Sequence, residues 1–290
     1  MAFSVNTNVG AAAALQSLNM TSKALAVTQS RINTGLSVAS TKDDSASYAI
    51  AQNLRSDLGG LKAVSTSLNR AKSVTDVAVA GAEQISDILG QMKAKATQAS
   101  DEGIDDASRA AINKDFTALR DQITTIVNAS VFNGTNLLKT NTGSDGKVTA
   151  LKSLVDTDAV ATTYTPDVMT VDNVDLDLGS ATGIFTDITA TSEIDTSANA
   201  QTMVATIETA QKALNGKLSD LGAASRQIDA QSTFTSRLSD VIEGGIGNLV
   251  DADLAKESAR LQALQVKQQL GVQALSIANQ APQTITSLFR

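Results

Sequence analysis

The chain has 290 residues, a formal net charge of −7 and no His, Cys or Trp. These absences exclude histidine and thiolate catalysis, Cys/His zinc sites and disulfides, and the scattered Lys and Arg residues argue against a nucleic-acid partner. With only 3% aromatic residues, a core must be built from small and aliphatic side chains, as in long helix-on-helix contacts. We predict no enzymatic activity, no cofactor and no metal site.

The first predicted helix covers residues 11–33. Leu18, Leu25 and Ile32 recur every seven residues on one face, and further apolar residues, including Met20, lie on the opposite face. The residues before this helix lack the charged start and apolar core of a secretory signal peptide, and no stretch approaches the length of a membrane span. We therefore expect no membrane insertion, and either a cytoplasmic protein or export without a cleavable signal.

The second predicted helix carries the strongest periodic pattern of the chain. Asp44 or Ser45 is its expected N-cap, and Asp57 and Thr75 are the only exceptions to a seven-residue repeat. Two positions of that repeat are apolar: Ile50, Val64, Ala71, Ala78, Ile85, Met92 and Ala99 at one, and Leu54, Leu61, Leu68, Ala82, Leu89 and Ala96 at the other. This pattern predicts a rod that packs like a coiled coil.

The middle of the chain changes character. A third predicted helix, residues 106–128, leads to an Asn133-Gly134 pair typical of a two-residue turn. Residues 141–197 are rich in Thr and Asp and predict a small β-rich insert, although so few large apolar residues also fit partial disorder. Alternation over residues 168–178 predicts a hairpin that turns at Asp172-Asn173.

Helical periodicity resumes near residue 200. We predict a rod helix over residues 200–242 that ends at Gly244, Gly245 and Gly247, and a last helix over 254–281 capped by Asp251 or Asp253. The last helix has two nearly opposite apolar stripes: Leu261, Leu264, Val272 and Leu275 on one side, and Val266, Leu270 and Ile277 on the other.

The front and back helices mirror each other about the insert. Segments at similar sequence distances from the two termini are the natural partners. We therefore expect residues 11–33 to pair with 254–281 and residues 45–128 with 200–242. The fold class is mainly α: an elongated antiparallel helical bundle with a small β-rich insert. Apolar stripes left uncovered on the terminal pair predict polymerisation.

Three separated motifs in the same order resemble bacterial flagellins. They are SRINTGLSVASTKDDSASYAI at residues 30–50, FNGTNLL at 132–138, and residues 249–290, which end in LGVQALSIANQAPQTITSLFR. The opening MAFSVNTNVGAAAALQSLN is similar as well. The resemblance covers about residues 1–140 and 198–290, and the insert lies outside it.

The resemblance implies a structural subunit that polymerises into the flagellar filament for swimming motility. It also implies three regions: a filament core of residues 1–44 and 245–290, a rod of 45–140 and 198–244, and an outer variable insert of 141–197. The candidate assembly interface is on the terminal helices: Leu18, Leu25, Ile32, Leu261, Leu264, Val266, Leu270, Val272, Leu275 and Ile277. A hook-filament junction protein of related architecture is the alternative.

The resemblance further implies partners. Flagellins are secreted by the flagellar type III export apparatus, bind an export chaperone through their C-terminal helices, and meet filament cap and hook-junction proteins outside the cell. Innate-immune receptors recognise many flagellins through an Arg, a Leu and an acidic residue. Gln91, Lys95 and Asp115 align with those positions, so only the acid is kept, and we expect weak binding to that receptor.

Overall fold

The computed structural model describes residues 8–139, 146–156 and 164–287, which form five helices and one two-stranded antiparallel sheet. The elements in chain order are α1 (Val9–Thr34), α2 (Ser45–Ala99), α3 (Asp106–Ala129), β1 (Lys147–Asp156), β2 (Pro166–Asp172), α4 (Ser197–Val250) and α5 (Leu254–Ser287). The predicted mainly α class with a small β element is confirmed. The chain divides into two compact units, one of residues 59–239 and one that joins residues 1–58 to 240–290.

The seven-residue repeat of α2 builds the core of the 59–239 unit. From Leu61 to Ala99, every apolar position predicted from the repeat is buried. Thr75 is also buried, and its hydroxyl donates a hydrogen bond of 2.9 Å to the carbonyl of Ala71. This polar exception is therefore satisfied inside its own helix and does not interrupt the core.

Helices α3 and α4 complete this core. Phe116 and Ile123 of α3 are fully buried, as are Ile207 and Leu214 of α4, and all belong to one apolar cluster with α2. Polar contacts between α2 and α4 set an antiparallel register: Lys72 with Asp229 at 2.6 Å, Asp76 with Ser225 at 3.2 Å and Lys93 with Glu208 at 2.8 Å. The predicted pairing of the two rod segments is therefore present in this unit.

The β-hairpin of the insert packs into the same core. β1 pairs with β2 so that Val148 faces Val171 and Ala150 faces Met169, and all four side chains are buried with the helices. Three helix side chains bind the backbone of β1: Ser67 and Arg70 from α2 and Gln231 from α4. A free strand edge invites further pairing, and these side chains occupy some of its backbone groups.

The predicted hairpin that turns at Asp172-Asn173 is wrong. β2 pairs with β1, and residues 174–178 form no strand. The alternation is nevertheless real, since Val174 and Leu176 are buried and donate backbone hydrogen bonds of 2.8 and 2.7 Å to Leu137 and Leu138. Alternation reports which side chains are buried and does not identify the segment that supplies the backbone partners.

The predicted Asn133-Gly134 turn is confirmed. Asn133 and Gly134 have φ values of 49° and 81°, the left-handed region that Asn and Gly adopt most readily. Phe132 and Thr135 close the turn with two backbone hydrogen bonds of 3.0 Å.

In the other unit α1 packs against α5, as predicted. The predicted caps are also present: the Asp44 carboxylate accepts from Ala46 N and Ser47 N at 3.0 and 3.2 Å, and that of Asp253 accepts from Lys256 N at 3.1 Å. Side-chain oxygens at these positions satisfy donors that the first helical turn leaves unpaired.

The predicted end of the rod helix at its glycines is wrong, because α4 continues to Val250. Each interior glycine costs a helix about 1 kcal/mol relative to alanine. Ile246 and Val250 are buried here with Ala51, and burying one such aliphatic side chain stabilises by about 1.5–3 kcal/mol. Tertiary burial therefore outweighs the local preference.

The two links between helices in this unit bind each other. Gly35, at φ 71°, ends α1, and its carbonyl accepts from Ala252 N at 2.8 Å, while Ser37 N donates to Val250 O at 2.7 Å. The boundaries of the compact units differ from the predicted core, rod and insert regions. That three-part division concerns layers of an assembled polymer and stays a prediction.

Candidate functional site

One face of each terminal helix is covered by the α1–α5 contact. The shielded residues follow spacings of three and four: Ala14, Leu18, Thr21, Leu25, Thr28 and Ile32 on α1, and Glu257, Leu261, Leu264, Gln268, Gly271, Leu275 and Ala278 on α5. Six candidate interface residues lie on this covered face and are half-buried: Leu18, Leu25, Ile32, Leu261, Leu264 and Leu275. These six hold α1 against α5 within one chain.

Val272 does not belong to this face, contrary to the prediction. Its side chain is 53% exposed, and Gly271 takes the covered position instead. A Cβ added at Gly271 would lie 3.3 Å from Leu18 Cδ1, so α1 and α5 approach closely at this point. The contact repeats every 3.5 residues, and the prediction assumed the 3.6 of an isolated helix, which misplaces a position after a few turns.

The covered face is more polar than the sequence pattern predicted. Thr21 and Thr28 are buried, and the Thr21 hydroxyl donates to Ser17 O at 2.9 Å. Arg31 Nη1 lies 3.2 Å from Glu257 Oε1, and Glu257 is only 7% exposed. A buried ion pair adds little net stability unless all its polar atoms are bonded. Arg31 Nε and Glu257 Oε2 are buried without a partner among the described residues.

The sequence did contain signals for these polar residues. Thr21 and Thr28 share the seven-residue spacing of Leu18 and Leu25, and a basic residue near the end of the first helix faces an acidic one near the start of the last. A pattern of apolar residues alone does not include these threonines or the charged pair. A contact with few large buried side chains gains less from the hydrophobic effect than the core of the 59–239 unit.

The other face of each terminal helix is exposed and carries large apolar side chains among polar ones. On α5 it carries Val266, Leu270, Val272 and Ile277, which are 56%, 57%, 53% and 70% exposed; on α1, Val9, Leu15, Met20 and Val27 are exposed as well. Contiguous apolar patches on a protein surface mark sites of interaction with other molecules. Four of the ten candidate interface residues lie on this outward face.

The three positions expected to align with receptor contacts lie on α2 and α3. Gln91 and Asp115 are exposed and Lys95 is half-buried. Lys95 Nζ and Asp115 Oδ2 form an ion pair of 2.6 Å. Asp115 is therefore engaged by a lysine of its own chain.

Two further observations describe the chemistry of the surface. In the part of the chain that the structure describes, no helix combines the length and apolarity needed to cross a bilayer. Across residues 8–139, 146–156 and 164–287, acidic side chains form no group able to hold a metal ion.

Comparisons with known proteins agree with this arrangement of helices. Residues 5–142 match the bacterial flagellin N-terminal helical region, and residues 204–289 match the bacterial flagellin C-terminal helical region. Flagellin FljM of Caulobacter vibrioides is 46% identical over 287 residues, which cover 99% of this chain and 98% of that protein. A flagellin of Brucella melitensis is 36% identical over 293 residues, with 99% of both chains covered.

The fold also occurs in a solved structure. A putative flagellar hook-associated protein from Vibrio parahaemolyticus has a TM-score of 0.54 and 15% sequence identity, and the match covers 72% of this chain and 100% of that one. This likeness concerns the fold alone. The two matched terminal regions and the full-length relatives place the chain in the bacterial flagellin family.

Proposed function

We propose that the outward apolar faces of α1 and α5 form contacts between copies in the flagellar filament, of which this flagellin is a structural subunit. The filament is an extracellular homopolymer, and the chain is not an enzyme. The observation that carries the proposal is the exposure of Val266, Leu270, Val272 and Ile277 on a helix whose opposite face is already covered.

Burial of these side chains favours association, and a contact that does not close on itself would make that association a polymer. Burying each of these half-exposed side chains stabilises by about 1–2 kcal/mol, at about 25 cal/mol per Å² of apolar surface. A heterologous contact that does not close on itself adds copies indefinitely and grows a filament. Residues 1–44 and 245–290 are the proposed filament core, residues 45–140 and 198–244 the surrounding rod, and residues 141–197 the outer insert.

Charge placed on the outward face tests the proposal. We expect Val266→Asp with Leu270→Asp to abolish growth from filament seeds, because two carboxylates would be buried without partners. The isolated chain should keep its helix content and thermal unfolding, since both side chains face solvent there. Electron microscopy of seeded samples and circular dichroism of the monomer measure the two effects.

Val266→Ile with Leu270→Met is the matched control, since it keeps the face apolar and should still assemble. Normal filaments from the double aspartate variant would contradict the proposed interface. Failure of the control to assemble would show that the positions tolerate no change, whatever its polarity.

We propose further partners from the same surface. An export chaperone that covers the outward face of α5 would shield its apolar residues until the chain leaves through the flagellar type III apparatus. The filament cap and the hook-junction proteins are the proposed neighbours at the two ends of the polymer. These partners rest on membership of the family.

We also propose that the chain binds the innate-immune receptor for flagellin weakly. Lys95 stands where the receptor-binding pattern has Leu, and its ion pair with Asp115 competes for the retained acid. Lys95→Leu with Gln91→Arg should increase receptor activation by the purified monomer in a reporter-cell assay. Strong activation by the unchanged monomer, or no gain in the double variant, would contradict this proposal.

A further inference from the structure

Helix α5 contains a proline in its last turns. The helix runs from Leu254 to Ser287 and passes through Pro282. Proline has no backbone N–H, so a helix that continues through it lacks one hydrogen bond. The acceptor that loses its donor is the carbonyl four residues earlier, which belongs to Ala278.

A side chain from the other end of the chain bonds to that carbonyl. Asn8 Nδ2 donates to Ala278 O at 2.7 Å across a separation of 270 residues. The same amide caps α1, because Asn8 Oδ1 accepts from Ala11 N at 3.0 Å. One asparagine therefore satisfies a donor at the start of α1 and an acceptor in α5.

We infer that Asn8 is a positioning residue that replaces the hydrogen bond lost at Pro282 and thereby sets the register of α1 on α5. The bond requires two features together: a capping side chain that also donates, and a carbonyl in α5 that proline leaves without its backbone donor. Aspartate and serine can cap α1 equally well, but ionised aspartate has no donor, and the single serine hydroxyl ends one bond closer to the backbone than the amide nitrogen that bonds to Ala278 O. A helix without the proline would offer Ala278 O its own backbone donor.

The register implied by this bond agrees with the rest of the pair. Asn8 meets Ala278, Leu18 meets Gly271 and Arg31 lies beside Glu257. The residue numbers on α5 decrease as those on α1 increase, as an antiparallel pair requires. Asn8 and Arg31 thus hold the two ends of α1 at matching positions on α5.

A double-mutant cycle in the full-length chain tests the inference. The variants are Asn8→Ser, which keeps the cap, Pro282→Ala, which restores the backbone donor, and the two combined. Hydrogen exchange of amides in residues 275–287 and the melting temperature of pelleted filaments are measured for each. Loss of one hydrogen bond should speed exchange about threefold to tenfold in Asn8→Ser.

The combined variant decides the result. We expect Asn8→Ser to change exchange less than twofold when residue 282 is alanine, because the helix then supplies its own donor. Equal effects of Asn8→Ser in both backgrounds would overturn the inference. Asn8→Asp is the second check, because it keeps a strong cap without the donor. If amide exchange in that variant equals that of the unchanged chain, Asn8 acts only as a cap and the inference is wrong.

The cycle separates this inference from the proposed outward interface. Amide exchange at residues 275–287 is compared in the unassembled chain, so the comparison does not require filaments, and the bond in question lies between two helices of one chain. An interface on the outward face can fail its own test while this coupling persists.

Discussion

At the scale of single residues, hydrogen-bonded polar side chains occupy positions that the repeat assigns to apolar ones. Thr75, Thr21 and Thr28 are buried within seven-residue repeats. Threonine and valine have similar shapes, and the hydroxyls of Thr75 and Thr21 bind the carbonyl one turn earlier. The seven-residue spacing therefore predicts that these threonines face the helix contact, whereas their polarity alone would predict that they are exposed.

Carboxylates at helix starts and between helices predict a dependence on acid. A hydrogen bond from Ser47 lowers the pKa of Asp44, one from Ser108 lowers the pKa of Asp105, and one from Lys93 lowers the pKa of Glu208. Since these pKa values are lower in the folded state, the groups contribute stability above their unfolded pKa of about 4. That contribution is lost as the pH falls through the folded values.

We therefore expect the unfolding temperature of the monomer to fall below about pH 4, as measured by circular dichroism. Glu208→Gln should flatten part of that slope, and Lys217→Gln, which removes an exposed charge outside the ion pairs described here, serves as the control. The sign reverses for Lys72, whose pKa is raised by its hydrogen bond to Asp229. Its contribution is present below the unfolded pKa and is lost as the pH rises through the folded value. An unfolding temperature that stays constant from pH 7 to pH 2 would contradict the carboxylate contributions.

At the scale of elements, α4 shows where local preference and burial disagree. Three glycines between residues 244 and 247 favour the end of a helix, yet the helix continues because Ile246 and Val250 are buried. At Gly247 an added Cβ would lie 2.7 Å from Asp251 Oδ2, the end of an exposed side chain that can turn away, so this contact does not require glycine. Gly244 and Gly245 have open space around an added Cβ.

We expect Gly244→Ala with Gly245→Ala to stabilise the end of α4 by about 1 kcal/mol for each glycine. Hydrogen exchange of residues 241–250 should slow accordingly. Gly216→Ala is the matched control, because Gly216 also lies in α4 with open space around it; its effect should stay near residue 216. Unchanged or faster exchange at 241–250 would show that these glycines adopt a conformation that alanine resists.

Strand pairing in the insert is a second feature at the scale of elements that local pattern did not predict. Its alternation over residues 168–178 identified the buried side chains correctly, but β2 found its partner in β1 and residues 174–176 found theirs at 137–138. The N–H and C=O groups that pair strands are the same in nearly all residues, so a side-chain pattern does not identify the partner strand. Strand pairing in a short insert therefore depends on which segments the rest of the fold brings close.

At the scale of the whole molecule, the two compact units differ in what stabilises them. The 59–239 unit has a continuous apolar core shared by three helices and a hairpin. In the other unit, the α1–α5 contact is lined by half-buried side chains, two threonines and an ion pair, and its outward face remains apolar and exposed. If the proposed contacts between copies form, burial of that outward face adds stabilisation that the single chain lacks.

The amino-acid sequence alone determined the helical class, the nested pairing of front with back helices, the rod core and the N-caps of α2 and α5, because spacing and capping are local properties of a chain. Only the tertiary structure decided which face of α5 is covered, where α4 ends, how β2 pairs, and that Asn8 bonds to Ala278. These features depend on residues far apart in the chain, and a contact across 270 residues leaves no periodic pattern in the sequence.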